Sequence, residues 1–525
     1  MPDIVVYDTT LRDGMQGEGI SFSEEDKLKI ARKLDDFGVA YIEGGWPGAN
    51  TTDTEFFRRA KDVQFKNSRL VAFGSTRRAK HSAEDDPLVV RLLEADTPVV
   101  TIFGKSWDLH VRDVLRVTLD QNLEMIRDTV AYLVSRGKEV IFDAEHFFDG
   151  YKADPGYALA TLKAAEEAGA ACLVLCDTNG GTLPSDVAEI TAQAGRQCRA
   201  PIGIHAHNDS ELAVANTIAA VQAGATHVQG TVNGLGERCG NANLCSIIPI
   251  LELKMGLSCV PKGSVARLTE LSRYVDEVAN IVPNDTQPFV GASAFAHKAG
   301  VHADAVEKNP RSYEHIDPEA VGGVRRILIS SYAGGSSVVQ MARRFDVDLK
   351  KQDPEVKALL DQVMKLERDG YSFEEAEASF ELVLKKSLGL YQKVFDLKGF
   401  RVIVEKRGPT EECITEATLK IAVDGIEAFT VAEGDGPVHA LDNALRLALS
   451  RFYGKELAKI KLSDFKVRVV NTRAGTAAKV RTIIESRDAE GSWNTVGVSE
   501  NIIEASWKAL ADSVEYGLLK HLGRK

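Results

Sequence analysis

The chain has 525 residues, 44% of them hydrophobic and 27% charged, and a net charge of −12. That length exceeds what one compact core holds, so several domains of ordinary globular composition are expected. The acidic balance argues against nucleic acid as the main partner, and with no run of about 18 apolar residues to span a membrane and no basic-then-apolar leader at the N-terminus, a cytoplasmic protein is expected.

Short β-type runs alternate with longer amphipathic segments through the first half of the chain. Eight such runs stand out: Ile4–Tyr7, Tyr41–Glu43, Leu70–Phe73, Val99–Phe103, Val140–Asp143, Cys172–Cys176, Ile202–His207 and His227–Thr231. Helical patterns separate them, among them Glu24–Phe37, Asp120–Ser135, Tyr157–Ala168, Ser185–Gly195 and Glu211–Ala223. Strand–helix alternation means a parallel sheet. Eight units over roughly 250 residues predict a (β/α)8 TIM barrel rather than a doubly wound sheet. Glycines just after several helices, as in DDFGV, EEAGA and VQAGA, fit the usual helix ending before a strand.

From about residue 260 the alternation stops. Helical pieces at Lys262–Ile281, Pro354–Lys365 and Phe373–Lys386 predict helical subdomains that link two larger units. The last part holds a repeat, in which Thr430–Leu445 aligns with Thr495–Leu510 at an offset of 65. Each copy follows a pair of β-type runs (Ala417–Val423 with Ala428–Val431, Lys479–Ser486 with Trp493–Val496) and enters a helix. Two strand–strand–helix units predict a pseudo-symmetric α/β module that dimerises. The expected division is a catalytic barrel over 1–265, helical linker subdomains over 266–395 and a C-terminal α/β regulatory or dimerisation domain over 396–525. Seven cysteines are scattered along the chain with no CxxC pair, as expected of buried reduced thiols.

In such a barrel, catalytic groups come from the C-terminal strand ends and the loops that follow. The first strand leads into Thr10-Leu-Arg-Asp-Gly, and the seventh ends in Gly203-Ile-His-Ala-His-Asn-Asp. Side chains alternate along a strand, so His205 and His207 point the same way, into the barrel mouth. Strands 1 and 7 are separated only by strand 8, so Asp13 meets both imidazoles there. An isolated HxH pair is as often a packing or surface feature; its place on the seventh of eight strands, opposite a TLRD motif, is what singles it out. One carboxylate and two imidazoles with open positions make an oxygen and nitrogen site for Mg2+, Mn2+, Zn2+ or Co2+. A 2-oxo acid chelates such an ion, which polarises the keto group. Arg12 reads either as a structural ion-pair partner of Asp13 or as a fixed cation for oxyanion character. Glu43 and Glu145 end strands 2 and 5, where a carboxylate has to be paired or functional. Glu43 also suits a partner that orients a metal ligand.

Together TLRDG, GIHAHND and the run Asn233–Asn241 (NGLGERCGN) resemble the acyl-CoA-dependent carbon–carbon bond-forming synthases, the group of 2-isopropylmalate, homocitrate and citramalate synthases. The resemblance covers nearly the whole chain, including a C-terminal domain like the regulatory domain of the isopropylmalate synthases. The segments EGGWPG from Glu43 and DAEHFFDGY from Asp143 look most like the long citramalate synthases.

The resemblance implies a condensation of acetyl-CoA with pyruvate, in isoleucine biosynthesis. It implies metal ligation by Asp13, His205, His207 and Asn241, enolate or oxyanion stabilisation by Arg12, and an acid/base pair of Glu145 and His302. His302 comes from the linker region, of the same chain or of a partner subunit. Tyr313 matches a linker tyrosine near that histidine, and Thr178 a substrate-contacting threonine. A homodimer and isoleucine as feedback effector are also implied, with the Gly434–Pro437 loop, otherwise a simple turn, as a place for a carboxylate at a helix start. Met15 departs from the glutamate that many relatives carry in the Asp-Gly-Glu-Gln run. The rival readings are a 2-isopropylmalate synthase acting on 2-oxoisovalerate, a lyase of the hydroxymethylglutaryl-CoA type, against which the long C-terminal domain argues, and a sensor built on a decayed barrel.

Overall fold

The computed structural model describes residues 3–298, 300–328, 339, 342, 349–350, 352–374, 376–470 and 478–523. The chain divides into two compact units: Met1–Phe295 with His315–Arg325, and Ala296–Glu314 with Arg326–Lys525.

The first unit is built on eight parallel strands closed in sequential order. These are β1 (Val5–Asp8), β2 (Tyr41–Gly45), β3 (Arg69–Ser75), β4 (Val99–Lys105), β5 (Glu139–Glu145), β6 (Cys172–Asp177), β7 (Ile202–Ala206) and β8 (His227–Gly230). Helices α1 (Glu24–Phe37), α2 (Thr51–Ala60), α3 (Pro87–Glu94), α4 (Leu119–Ser135), α5 (Phe147–Ala153), α6 (Pro155–Glu167), α7 (Pro184–Gln197) and α8 (Ala213–Gln222) fill the connections between the strands, with both α5 and α6 between β5 and β6. The predicted (β/α)8 barrel is the observed fold, and all eight strands fall where the alternation placed them. The strands of the middle of the barrel run one or two residues further at their C-terminal ends than their apolar runs, because the ladder continues into the polar residues of the mouth: β4 ends on Lys105 and β5 on Glu145.

Local chemistry explains the helix ends. Ser23 and Asp26 form a reciprocal capping box at the start of α1, as Thr118 and Gln121 do for α4. Asp154 caps α6, with Pro155 at its first position. At Gly38 the chain takes φ 97°, and an added Cβ would stand 2.4 Å from Pro261 Cδ, so only glycine ends α1 without strain. One apolar layer lies between strands and helices, with Ile42, Ala72, Val100, Phe142 and Leu173 among its fully buried members. A second, inside the barrel, stacks Tyr7, Val71, Val99, Ile141, Cys172, Val174 and Cys176. The interior is polar elsewhere, where Glu43, Thr101, Asp143, His205 and Gln229 are all buried.

The second unit carries two three-stranded antiparallel sheets. One comprises Asp396–Glu405, Ile414–Val423 and Ile426–Gly434, followed by the helix Pro437–Leu457; the other comprises Lys461–Val469, Val480–Arg487 and Ser492–Ser499, followed by the helix Ile502–His521. The repeat therefore has three strands per copy, not two. The additional strand is a sheet edge whose residues are nearly all exposed or half-buried, so its apolar positions do not alternate cleanly. No helix among the described residues is long and apolar enough to cross a membrane. The seven cysteines are free thiols, five of them buried.

Candidate metal centre at the barrel mouth

Closure of the barrel brings the first strand beside the eighth, with Tyr7 and Gln229 in register. The loop after β1 thereby lies across from β7. His205 is the fourth residue of β7, and His207 sits just past the strand, held by a bridge to Asn241. Their Nε2 atoms are 3.3 Å apart. Asp13 Oδ2 lies 3.5 Å from His205 Nε2 and 4.0 Å from His207 Nε2. All three residues are buried, and their ligand atoms lie within 4.8 Å of one another. Among the described residues this is the only group of three or more such side chains placed to hold a metal ion.

Asn241, on the loop after β8, donates from Nδ2 to Asp13 Oδ1 over 2.9 Å. Its own Oδ1 is buried without a partner. An orphaned buried carbonyl beside a carboxylate and two imidazoles is the donor set of an oxygen- and nitrogen-liganded cation, and the absence of thiolate favours the harder ions. The electrostatics agree. Burial works against the charge on Asp13, yet Arg12 and His205 hold its carboxyl well below the usual range. Burial, reinforced by the His205 charge, pushes His207 down to about 3, so its imidazole is neutral and offers a lone pair.

Arg12 is fixed on two sides. Its Nη1 donates to Asp13 Oδ2 over 2.9 Å and its Nε to Glu43 Oε1 over 2.6 Å. The guanidinium also lies 3.8 Å over the Phe73 ring. Burial opposes its charge, but Glu43 and Asp13 more than offset that and keep it firmly protonated. Glu43 is held from its other oxygen by Tyr7 Oη at 2.5 Å, and Tyr7 Oη also bonds Thr101 Oγ1 at 2.8 Å. Glu43 thus orients Arg12, and through it Asp13.

Glu145 closes β5 and forms an ion pair with Lys105 from the end of β4. Thr178 follows β6; its Oγ1 accepts from the His146 backbone N–H over 2.9 Å, and its carbonyl accepts from Arg238 Nη2 over 2.7 Å. His302 and Tyr313 belong to the second unit. Both are exposed, and their rings stack with centroids 4.1 Å apart. Met15 packs on the apolar core. The structure thus gathers Arg12, Asp13, His205, His207 and Asn241 at one mouth, pairs Glu145 with Lys105, and stacks His302 on Tyr313. Sequence reasoning passed over Tyr7, Lys105 and Gln229. The same rule that found Glu145 would have found Lys105, since it ends the neighbouring strand; Tyr7 and Gln229 sit inside β-type runs and carry no local signal.

Comparison with known proteins agrees with this architecture. Residues 3–275 match the HMGL-like family, residues 289–370 the homocitrate synthase post-HMGL domain-like family, and residues 374–518 the LeuA allosteric (dimerisation) domain. The chain is 55% identical over 518 residues to the (R)-citramalate synthase of Aquifex aeolicus, covering 98% of each chain. It is 52% identical over 517 residues to the (R)-citramalate synthase of Geobacter sulfurreducens, again over 98% of each. Likeness to a probable 2-isopropylmalate synthase of Methanopyrus kandleri is lower, at 32% over 521 residues and 98% of each chain.

Proposed function

The chain belongs to the (R)-citramalate synthase family of HMGL-like enzymes, and from that premise we propose that it condenses acetyl-CoA with pyruvate to give (R)-citramalate and CoA. It is an acyltransferase that turns the acetyl group into an alkyl group on transfer. The observation that carries this reading is the near-full-length likeness to those synthases in a chain whose barrel mouth holds Arg12 beside Asp13, His205 and His207.

Asp13, His205 and His207 would hold a divalent cation, with Asn241 as a further ligand; Mg2+, Mn2+, Co2+ and Zn2+ all suit the set. When bound, the cation supplies a Lewis acid at the keto oxygen of pyruvate. Arg12, pinned by Glu43, presents a fixed positive charge to the oxygen that turns anionic, and needs no reorganisation to do so. Glu145 and His302 are the acid/base pair, with Tyr313 placed beside His302 and Thr178 contacting substrate. One of the pair takes a proton from the acetyl-CoA methyl group, and the resulting carbon bonds to the keto carbon. The alkoxide so formed takes up a proton. Water then attacks the thioester, the C–S bond breaks, and CoA leaves as the thiol. A methyl next to a thioester is a weak acid, so the base has to be held in place rather than arrive by diffusion.

The chain is read further as a barrel over 1–265, a helical linker over 266–395 and a regulatory domain over 396–525. It works in isoleucine biosynthesis in the cytoplasm, as a homodimer. Its feedback effector is isoleucine, taken up in the C-terminal module, where a cavity of about 650 Å3 is lined by Thr415, Glu433, Gly434, Asp435, His439 and Asn443. Those carboxylates suit the ammonium group of an amino acid, and the start of the helix Pro437–Leu457 suits its carboxylate.

CoA release from acetyl-CoA, measured with a panel of 2-oxo acids, tests the reading. Release with pyruvate and little with 2-oxoisovalerate is expected. Preference for 2-oxoisovalerate would instead make the chain a 2-isopropylmalate synthase, and no release with any acid would remove the condensation altogether.

A further inference from the structure

Gln229 and Asp143 have no part in the chemistry above, yet both lie inside the barrel, 0% and 3% exposed. An amide and a carboxylate buried there are costly unless each finds a partner. They find each other and His205. Gln229 Nε2 donates to Asp143 Oδ1 over 3.0 Å, and Gln229 Oε1 lies 2.9 Å from His205 Nδ1. In this geometry the NH2 end of the amide faces Asp143. The carbonyl end then faces His205, and a carbonyl can only accept, so Nδ1 of that imidazole carries the proton. That leaves Nε2, the atom that faces Asp13 and His207, as the nitrogen a cation would take.

The relay is set by the fold. His205 and Gln229 are register partners on β7 and β8, and Asp143 reaches Gln229 from β5 on another wall of the barrel. His207 has no counterpart, its Nδ1 being buried without a partner. The two imidazoles are therefore oriented differently, one by a hydrogen-bonded chain and one by its backbone bridge.

We infer that Gln229, itself held by Asp143, is a positioning residue that fixes His205 in the tautomer able to bind the cation. The inference rests on the cation site proposed above. It concerns a neutral amide, where the usual outer partner of a metal-bound histidine is a carboxylate or a backbone carbonyl.

Calorimetric titration of the metal-stripped, full-length protein with Mn2+ tests it, with thermal unfolding followed in parallel. The unsubstituted protein is expected to bind one Mn2+ per chain. Gln229→Leu is expected to weaken that binding by about 10- to 100-fold, the usual effect of losing an outer partner. The double variant Asp143→Asn with Gln229→Glu exchanges amide and carboxylate along the relay; it still accepts from His205 Nδ1 and is expected to recover most of the affinity. Should Gln229→Leu fail to fold, Asp143→Ala carries the test, because it leaves the amide free to turn and is expected to weaken Mn2+ binding by about 10-fold. Unchanged affinity in the folded single variant, or no recovery in the double variant, overturns the positioning role. Failure of the unsubstituted protein to bind Mn2+ overturns the cation site itself, and this inference with it.

Discussion

Asp13 stands between a guanidinium and two imidazoles, and its neighbours decide what its removal does. Asp13→Ala leaves His205 and His207 without the one anionic ligand, so Mn2+ stoichiometry measured by calorimetry is expected to fall from one per chain to none. His302→Ala removes one member of the proposed acid/base pair. Loss of a general acid or base is expected to lower turnover by roughly 10^2 to 10^4, with Mn2+ and pyruvate binding retained; normal turnover in CoA-release kinetics would take His302 out of the chemistry. Asp8 gives a residue-scale test of pH dependence. Burial, against the bonds from Thr10, pushes its carboxyl up to about 7. Unfolded, an aspartate titrates near 3.9. The folded state therefore holds a proton that the unfolded chain gives up, and stability falls as pH rises from about 4 to about 7. The full span is worth on the order of 4 kcal/mol. Asp8→Asn is expected to flatten that slope, measured as Tm against pH for the variant and its parent.

Between residue and fold stand the loops that carry the site. The turn after β2 is clamped by a buried ion pair of Lys27 and Asp53, with Lys27 also donating to the Gly44 carbonyl and the Trp46 N–H donating to Asp53 Oδ2. This turn begins next to Glu43, the residue that holds Arg12. Asp53→Asn strands the Lys27 ammonium in the core, and a loss of about 3–5 kcal/mol is expected in denaturant unfolding. Much at this scale could be read in advance. The eight strands announce themselves as apolar runs, and the parity of His205 and His207 follows from the period of a strand. The edge strands Asp396–Glu405 and Lys461–Val469 could not be read, because apolar residues such as Leu397, Ile403 and Val467 sit exposed there among charges. A half-covered edge has no clean alternation to detect.

For the molecule as a whole, residues 374–518 match a dimerisation domain, and a mass twice the chain's 57.1 kDa is expected in sedimentation at micromolar concentration. Regulation is expected to separate from catalysis. At Gly434 an added Cβ would meet the Ala440 backbone nitrogen at 2.4 Å. Gly434→Val therefore distorts the proposed effector loop, and CoA-release assays with and without isoleucine are expected to show inhibition lost while basal turnover persists. By itself the sequence determined the barrel, its strand order and the residues at the strand ends, since local periodicity and chain order carry that information. The motifs also carried the family. Only the tertiary structure decided that Tyr7 holds Glu43, that Glu43 holds Arg12, that Lys105 pairs with Glu145, and that Asp143 reaches Gln229 behind His205. Those partners lie on neighbouring strands and their loops or, for Asp143 and Gln229, on different walls of the closed barrel, up to 86 residues apart in the chain. Which side chains face each other there depends on ladder register and closure, and no local pattern records either.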